Sequence, residues 1–152
     1  MEYRNHFYIT LFSDASQTVH PSNTLGEFTI QLARRIDLGS VDNWEVGLSE
    51  FSCPPPYPYT NKPYDVVGNT NSLIYCDLIT PQFVGNDNVR CLRTFTYPSK
   101  HCEYLFKNIY YVPVQKRTFQ EISIFIADTK GKPVKFNSSE VSAKVVLHFR
   151  RV

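Results

Sequence analysis

Residues that favour helices are scarce in this chain of 152 residues. Alanine occurs only at positions 15, 33, 127 and 143, and there is a single Met. Phe and Tyr, by contrast, occur 11 and 10 times. Aromatic and β-branched residues suit the pleated surface of a sheet, whereas a chain so poor in strong helix formers has little from which to build long helices. We therefore expect an all-β protein.

The chain also lacks a long apolar run. A helix that crosses a bilayer needs about 20 consecutive apolar residues, and no stretch approaches that length. The first residues, MEYRNHFYITLF, are polar from the start and resemble no signal peptide. We therefore expect a soluble product made inside a cell, with no membrane span. The reducing compartment would keep its four cysteines as free thiols.

Charge of one sign is not in excess either. The 16 Lys and Arg residues face 14 Asp and Glu residues, which leaves a net charge of +2. Nucleic-acid-binding domains usually carry clustered basic residues on one face. The basic pairs Arg34-Arg35 and Arg150-Arg151 are short and are typical of strand ends in water. This charge pattern leaves contact with nucleic acid open but does not indicate it.

Apolar and polar residues alternate with a period of two along most of the chain, which predicts strands with one buried face. The predicted strands cover residues 6–12, 25–33, 44–49, 73–79, 89–97, 108–114, 119–127 and 142–150, with turns at 81–88 and 128–131. The predicted inward residues are Phe28, Ile30, Leu32, Trp44, Val46, Leu48, Ile122, Ile124, Ile126, Val145, Leu147 and Phe149. We expect Cys76 and Cys91 to be buried in strands, and Cys53 and Cys102 to lie in loops or at strand edges.

About eight strands joined by loops of uneven length favour a single jelly-roll sandwich of two antiparallel sheets. We expect one such domain over residues 1–152, with a Pro-rich connection at about 53–72. An immunoglobulin-like sandwich is the alternative, but it usually has seven to nine strands in about 100 residues and a Cys…Trp…Cys spacing that this chain lacks.

Motifs of catalysis are missing. There is no G-x-S-x-G elbow, no H-E-x-x-H, no P-loop and no G-x-G-x-x-G. The four histidines are far apart in sequence, and no cysteine spacing matches a zinc site. His148 alternates with apolar residues in the last predicted strand, which predicts a solvated or cross-strand position. His20 and His101 fall in loops, where either could pair with Cys53 or Cys102 in a cleft. We expect no enzyme, no cofactor and no metal.

The Pro-rich connection carries tyrosines on a stiff, extended backbone. Such segments lose little entropy on docking, and Tyr is frequent in protein interfaces. The alternative is a loop that packs its tyrosines against its own sandwich. The aromatic residues left over for a subunit or partner interface are Tyr57, Tyr59, Tyr64, Tyr97, Tyr104 and Tyr110.

Several segments, in this order, resemble the minor capsid (penton) proteins of Polinton/Maverick elements and adintovirus-like DNA viruses. They are FYITL at 7–11, WEVGLSE at 44–50, YCDLI at 75–79, YVPV at 111–114, the alternating isoleucines at 122–126 and VVLHFR at 145–150. Many members of that family carry a longer segment between the second and third of these stretches, where this chain has only its Pro-rich connection.

The resemblance implies a single jelly roll that forms homopentamers at icosahedral vertices, beside the major capsid protein of the same virion. It implies a virion location, after assembly inside the host cell, and names no catalytic residue. The alternative function is a spike or a receptor-binding or glycan-binding jelly roll of the virion.

Overall fold

The computed structural model describes residues 5–53, 71–96, 102–134, 136 and 142–152. Within these ranges the chain consists of strands and turns, without a helix, so the all-β prediction is confirmed. The strands in these ranges are β1 (His6–Phe12), β2 (Glu27–Asp37), β3 (Trp44–Cys53), β4 (Asn71–Cys76), β5 (Gln82–Val84), β6 (Asp87–Val89), β7 (Cys91–Thr96), β8 (Cys102–Leu105), β9 (Tyr111–Pro113), β10 (Thr118–Asp128) and β11 (Lys144–Arg151).

The strands form two antiparallel sheets and a small hairpin. A five-stranded sheet has the order β1-β11-β3-β8, with β9 also paired to β3, and a four-stranded sheet has the order β2-β10-β4-β7. Strands β5 and β6 pair only with each other. The pairing is nested, because β1 pairs with β11, β2 with β10, β3 with β8 and β9, and β4 with β7. A long hairpin wrapped into two Greek keys has this order, so the jelly-roll prediction is confirmed.

Each of the eight predicted segments overlaps a strand, although β2 and β3 run four residues further than predicted, and the strands β5, β6 and β8 were not predicted. Residues 81–88 were predicted as a turn, yet they hold the β5–β6 hairpin, which turns at Gly85 with a φ of +57°. Strand β8 is four residues long and its mixed sequence has no clear alternation. It pairs with the second half of β3, whereas β9 pairs with the first half.

The core lies between the two sheets. Every residue predicted to point inward is buried except Leu32, which is half-buried. Leu32 lies opposite the register shift between Phe119 and Glu121 of β10, and such a shift interrupts the alternation of faces. Aromatic rings of the two sheets pack against each other in this core. The ring of Phe149 in β11 stacks on that of Phe119 in β10 at a centroid distance of 6.0 Å.

Cysteine placement follows the prediction in part. Cys76 and Cys91 are buried free thiols, as predicted. Cys53 is not in a loop: it is the buried last residue of β3, directly opposite Cys102 in the register of the sheet. Cys102 begins the edge strand β8. The Pro-rich connection is shorter than predicted at both ends, because β3 extends to Cys53 and β4 begins at Asn71, and residues 54–70 lie outside the described residues.

Candidate functional site

Four rings gather on the outer face of the five-stranded sheet, and we call His6, Tyr8, Tyr111 and His148 the histidine cluster. In the ladder, His148 of β11 lies opposite Tyr8 of β1 on one side and opposite Gly47 of β3 on the other. Tyr111 of β9 lies opposite Gly47 in turn. The phenol of Tyr111 reaches the imidazole of His148 on this face.

Hydrogen bonds link the cluster into a chain. The Oη atom of Tyr111 lies 2.7 Å from Nδ1 of His148, and Nε2 of His148 lies 3.1 Å from Nδ1 of His6. The ring of Tyr8 stacks on His148 at a centroid distance of 4.4 Å, which fixes the plane of the imidazole. Both nitrogens of His148 are thereby engaged, one by a phenol and the other by a second histidine.

The electrostatics of this face keep His148 neutral. Burial lowers the pKa of His148, and the positive charges that His6 and Arg150 can carry lower it further. The guanidinium of Arg150 lies 3.5 Å from the ring centroid of Tyr111 and pairs with the carboxylate of Glu45. The carboxylate of Glu45 is therefore bound by Arg150 and takes no part in the hydrogen bonds that link Tyr111, His148 and His6.

A loop over residues 106–110 packs on the same face beside the cluster. A Cβ atom on Gly47 would lie 2.7 Å from the carbonyl oxygen of Tyr110 and would overlap the side chain of Ile109, so only glycine fits there. Arg93 of β7 holds this loop, because its guanidinium lies 3.7 Å from the ring centroid of Phe106 and donates to the carbonyl of Asn108. Burial lowers the pKa of Arg93, and the phenol of Tyr110 opposes that shift.

A second surface feature lies on the four-stranded sheet, where a cleft of about 450 Å³ opens beside the β5–β6 hairpin. Its lining includes Thr29, Tyr75, Asp77, Arg90, Ser123 and Phe125. The carboxylate of Asp77 accepts a hydrogen bond from the backbone N–H of Ser123, and burial raises the pKa of Asp77. On the hairpin itself, the ring of Phe83 is 89% exposed.

Comparison with known proteins finds no match among family models or curated sequences. A likeness appears among solved structures. The crystal structure of the mavirus penton protein superposes with a TM-score of 0.66 over 97% of this chain and 100% of the mavirus chain, at 7% sequence identity. The chain shares the fold of the mavirus penton protein.

Only two of the tyrosines predicted for an interface lie within the described residues. Tyr104 packs against the core beside Phe95 and Phe106, and its hydroxyl donates to the backbone oxygen of Thr96 at 2.5 Å. Tyr110 is 64% exposed. The structure therefore gives Tyr104 mainly internal contacts and leaves Tyr110 accessible. Four of the predicted residues, Tyr57, Tyr59, Tyr64 and Tyr97, lie outside the described residues.

The described part of the chain was also compared with the metal and Cys–His sites considered from the sequence. Among its residues no group of three or more His, Cys, Asp or Glu side chains is placed to hold a metal ion. Burial raises the pKa of Cys76 to about 12 and that of Cys91 to about 11, so both remain thiols and are poor nucleophiles. The imidazole of His20 lies 3.1 Å from a carboxylate oxygen of Glu121, and His101 lies outside the described residues.

The contact between His6 and His148 was missed from the sequence, although a cross-strand position for His148 was predicted. Both residues occupy outward positions in alternating strands, and the nested order of a jelly roll pairs the first strand with the last. Alternation and topology together would therefore have placed the two imidazoles on neighbouring strands of one face. No helix in the described ranges is long and apolar enough to span a membrane.

Proposed function

We propose that this chain is a structural protein of a virus particle, a penton subunit that assembles into homopentamers at the vertices. The observation that carries the proposal is the likeness to the mavirus penton protein, which spans 97% of this chain and 100% of the other. Because the similarity covers nearly all of both chains, it is a similarity between whole folds and not between fragments. The proposed partners are further copies of this chain and the major capsid protein of the same virion.

A ring of identical subunits needs two different surfaces that meet when neighbours are related by rotation. The two sheets offer such surfaces. On the five-stranded sheet, Tyr8 is 57% and Phe12 44% exposed, whereas the other side carries the β5–β6 hairpin with Phe83 exposed at its surface. Aromatic side chains of this kind anchor protein interfaces. We propose that these surfaces, together with Tyr110 and the tyrosines predicted near residues 57–64 and 97, contribute to the ring contact.

Native mass spectrometry of the purified chain tests the oligomeric state. We expect a complex of five chains, or five-fold symmetry at the position of this protein in a particle reconstruction. A monomer or trimer in both settings would contradict the penton and support the alternative of a spike or a receptor-binding or glycan-binding module. A protein that neither self-assembles nor copurifies with capsid protein would contradict the virion role itself.

A matched pair of variants tests whether Phe83 contributes to the contact between neighbouring subunits. Phe83→Ser removes an aromatic ring that is 89% exposed, and Val41→Ser removes an apolar side chain that is 91% exposed in the connection between β2 and β3. We expect Phe83→Ser to shift the pentamer towards monomer, with Val41→Ser unchanged. If the pentamer is equally stable in both variants, the β5–β6 hairpin is not part of the subunit interface, and the penton proposal is unaffected.

A further inference from the structure

We propose that His6 and His148 form a two-histidine binding site for a divalent ion of the zinc class. The site lies on the outer face of the five-stranded sheet and joins β1 to β11. It stands on the geometry of the histidine cluster within one chain, so it does not rest on the penton proposal. Water completes the coordination, because no third His, Cys, Asp or Glu ligand is in place among the described residues.

The spacing of the two nitrogens suits a shared ion. Nδ1 of His6 and Nε2 of His148 are 3.1 Å apart. Two nitrogens that each lie about 2.0–2.1 Å from a tetrahedral ion are about 3.3 Å apart. The ring centroids are 5.2 Å apart and the planes are inclined by 76°, so the rings meet edge to edge and do not stack. Binding requires both rings to rotate off the N···N line so that their lone pairs converge on one ion, and His6 is exposed and has room to do so.

The surroundings of His148 match those of a metal-bound histidine. Such a histidine almost always donates its second ring N–H to an oxygen, which fixes the tautomer and the orientation of the ring. In His148 that partner is Oη of Tyr111, 2.7 Å from Nδ1. When Nδ1–H donates to the phenol oxygen, Nε2 presents its lone pair towards His6. Stacking on Tyr8 restricts the ring to this plane.

Access and chemistry decide which ions fit. His6 is exposed, so the site opens to solvent. Imidazole nitrogens suit Zn²⁺, Cu²⁺ and Ni²⁺, whereas Mg²⁺ and Ca²⁺ require oxygen ligands. The carboxylate of Glu45, on the neighbouring strand β3, is paired with Arg150. The site is thus expected to discriminate Zn²⁺ from Mg²⁺.

Titration of the full chain with ZnCl₂ tests the site, by calorimetry and by NMR of the histidine side chains near pH 7.5. We expect saturable binding of one Zn²⁺ per chain, with shifts confined to His6 and His148, and no response to MgCl₂. His6→Gln and His148→Gln should each weaken binding at least tenfold. The control His20→Gln alters a histidine that pairs with Glu121 on the other sheet, so its binding should be unchanged.

Folding of the variants is checked by thermal melting, and His6→Gln provides the test if His148→Gln fails to fold, because His6 is exposed. Zn²⁺ should raise the melting temperature of the native chain and of His20→Gln but not that of His6→Gln. Tyr111→Phe should weaken binding about 10- to 100-fold through loss of the partner of Nδ1. Absence of saturable binding, or binding that survives His6→Gln, would overturn the proposal and leave the pair as a hydrogen bond only.

Discussion

Replacing Gly47 with Ala tests the packing of loop 106–110 by the sign of its effect on stability. Gly47 has no positive φ, so its backbone accepts an L-residue. At such a position Gly→Ala normally stabilises a protein by about 0.4–1 kcal/mol, because the unfolded chain loses freedom. The structure predicts the opposite, since the new Cβ would lie 2.7 Å from the carbonyl oxygen of Tyr110 and would overlap Ile109.

The magnitude follows from what must move. The side chain of Ile109 can rotate, but the carbonyl of Tyr110 belongs to the backbone and must shift by several tenths of an ångström. Overpacking of this kind costs about 1–3 kcal/mol. After the gain expected from the unfolded chain is subtracted, Gly47→Ala should lower the free energy of unfolding by about 1–2 kcal/mol.

Urea unfolding of Gly47→Ala and of a matched control measures this cost. Ser49→Ala is the control: Ser49 lies two residues further on in β3, at the register shift against β11, and its backbone oxygen accepts from the N–H of Phe106, so the variant should stay within about 0.5 kcal/mol of the native chain. A Gly47→Ala protein as stable as the native chain, or more stable, would refute the close approach of the loop to β3.

Three further changes test the core and its buried polar groups. Ile124→Ala should cost about 2–5 kcal/mol in urea unfolding, because Ile124 is buried between the sheets, and a cost no larger than that of the outward Ser123→Ala would contradict the register of β10. Ser72→Ala should be neutral or stabilising by up to about 1–3 kcal/mol, since the buried hydroxyl has no hydrogen-bond partner among the described residues, and a clear loss of stability would contradict that environment. For Asp77 the folded pKa lies above the unfolded value, so the folded state binds more protons between the two values and stability falls as pH rises through that window. Asp77→Asn keeps an acceptor for the N–H of Ser123, and it should flatten this part of the pH profile of unfolding; an unchanged profile would show that Asp77 is not its source.

Alternation of side chains located most of the strands, because burial of one face imposes a period of two. Strand β1 begins and ends at the predicted residues, and the buried isoleucines of β10 lie as predicted. Strand β8 could not be found in this way, since an edge strand of four residues with one charged side chain carries too short a pattern. The β5–β6 hairpin was missed for a related reason, because neither of its three-residue strands lies in the core.

The candidate site was harder to predict than the fold. His6 and His148 are 142 positions apart, and their contact depends on which strands are neighbours, a property of topology that no local pattern contains. The exposure of tyrosines is equally non-local. Tyr104 and Tyr110 have the same side chain a few residues apart, yet Tyr104 in β8 packs on the core and Tyr110, in the loop over Gly47, faces solvent.

The nested strand order has a consequence for synthesis of the protein on the ribosome. Strand β11 lies between β1 and β3, and β10 lies between β2 and β4, so each sheet has an inner strand from the C-terminal third of the chain. Until residues 118–151 have left the exit tunnel, no strand joins β1 to β3 or β2 to β4, so these four strands keep open edges. Open edges invite pairing with other chains. Neither sheet can be completed before β10 and β11 have been synthesised, and nascent or truncated chains that stop before β10 will depend on chaperones to avoid aggregation.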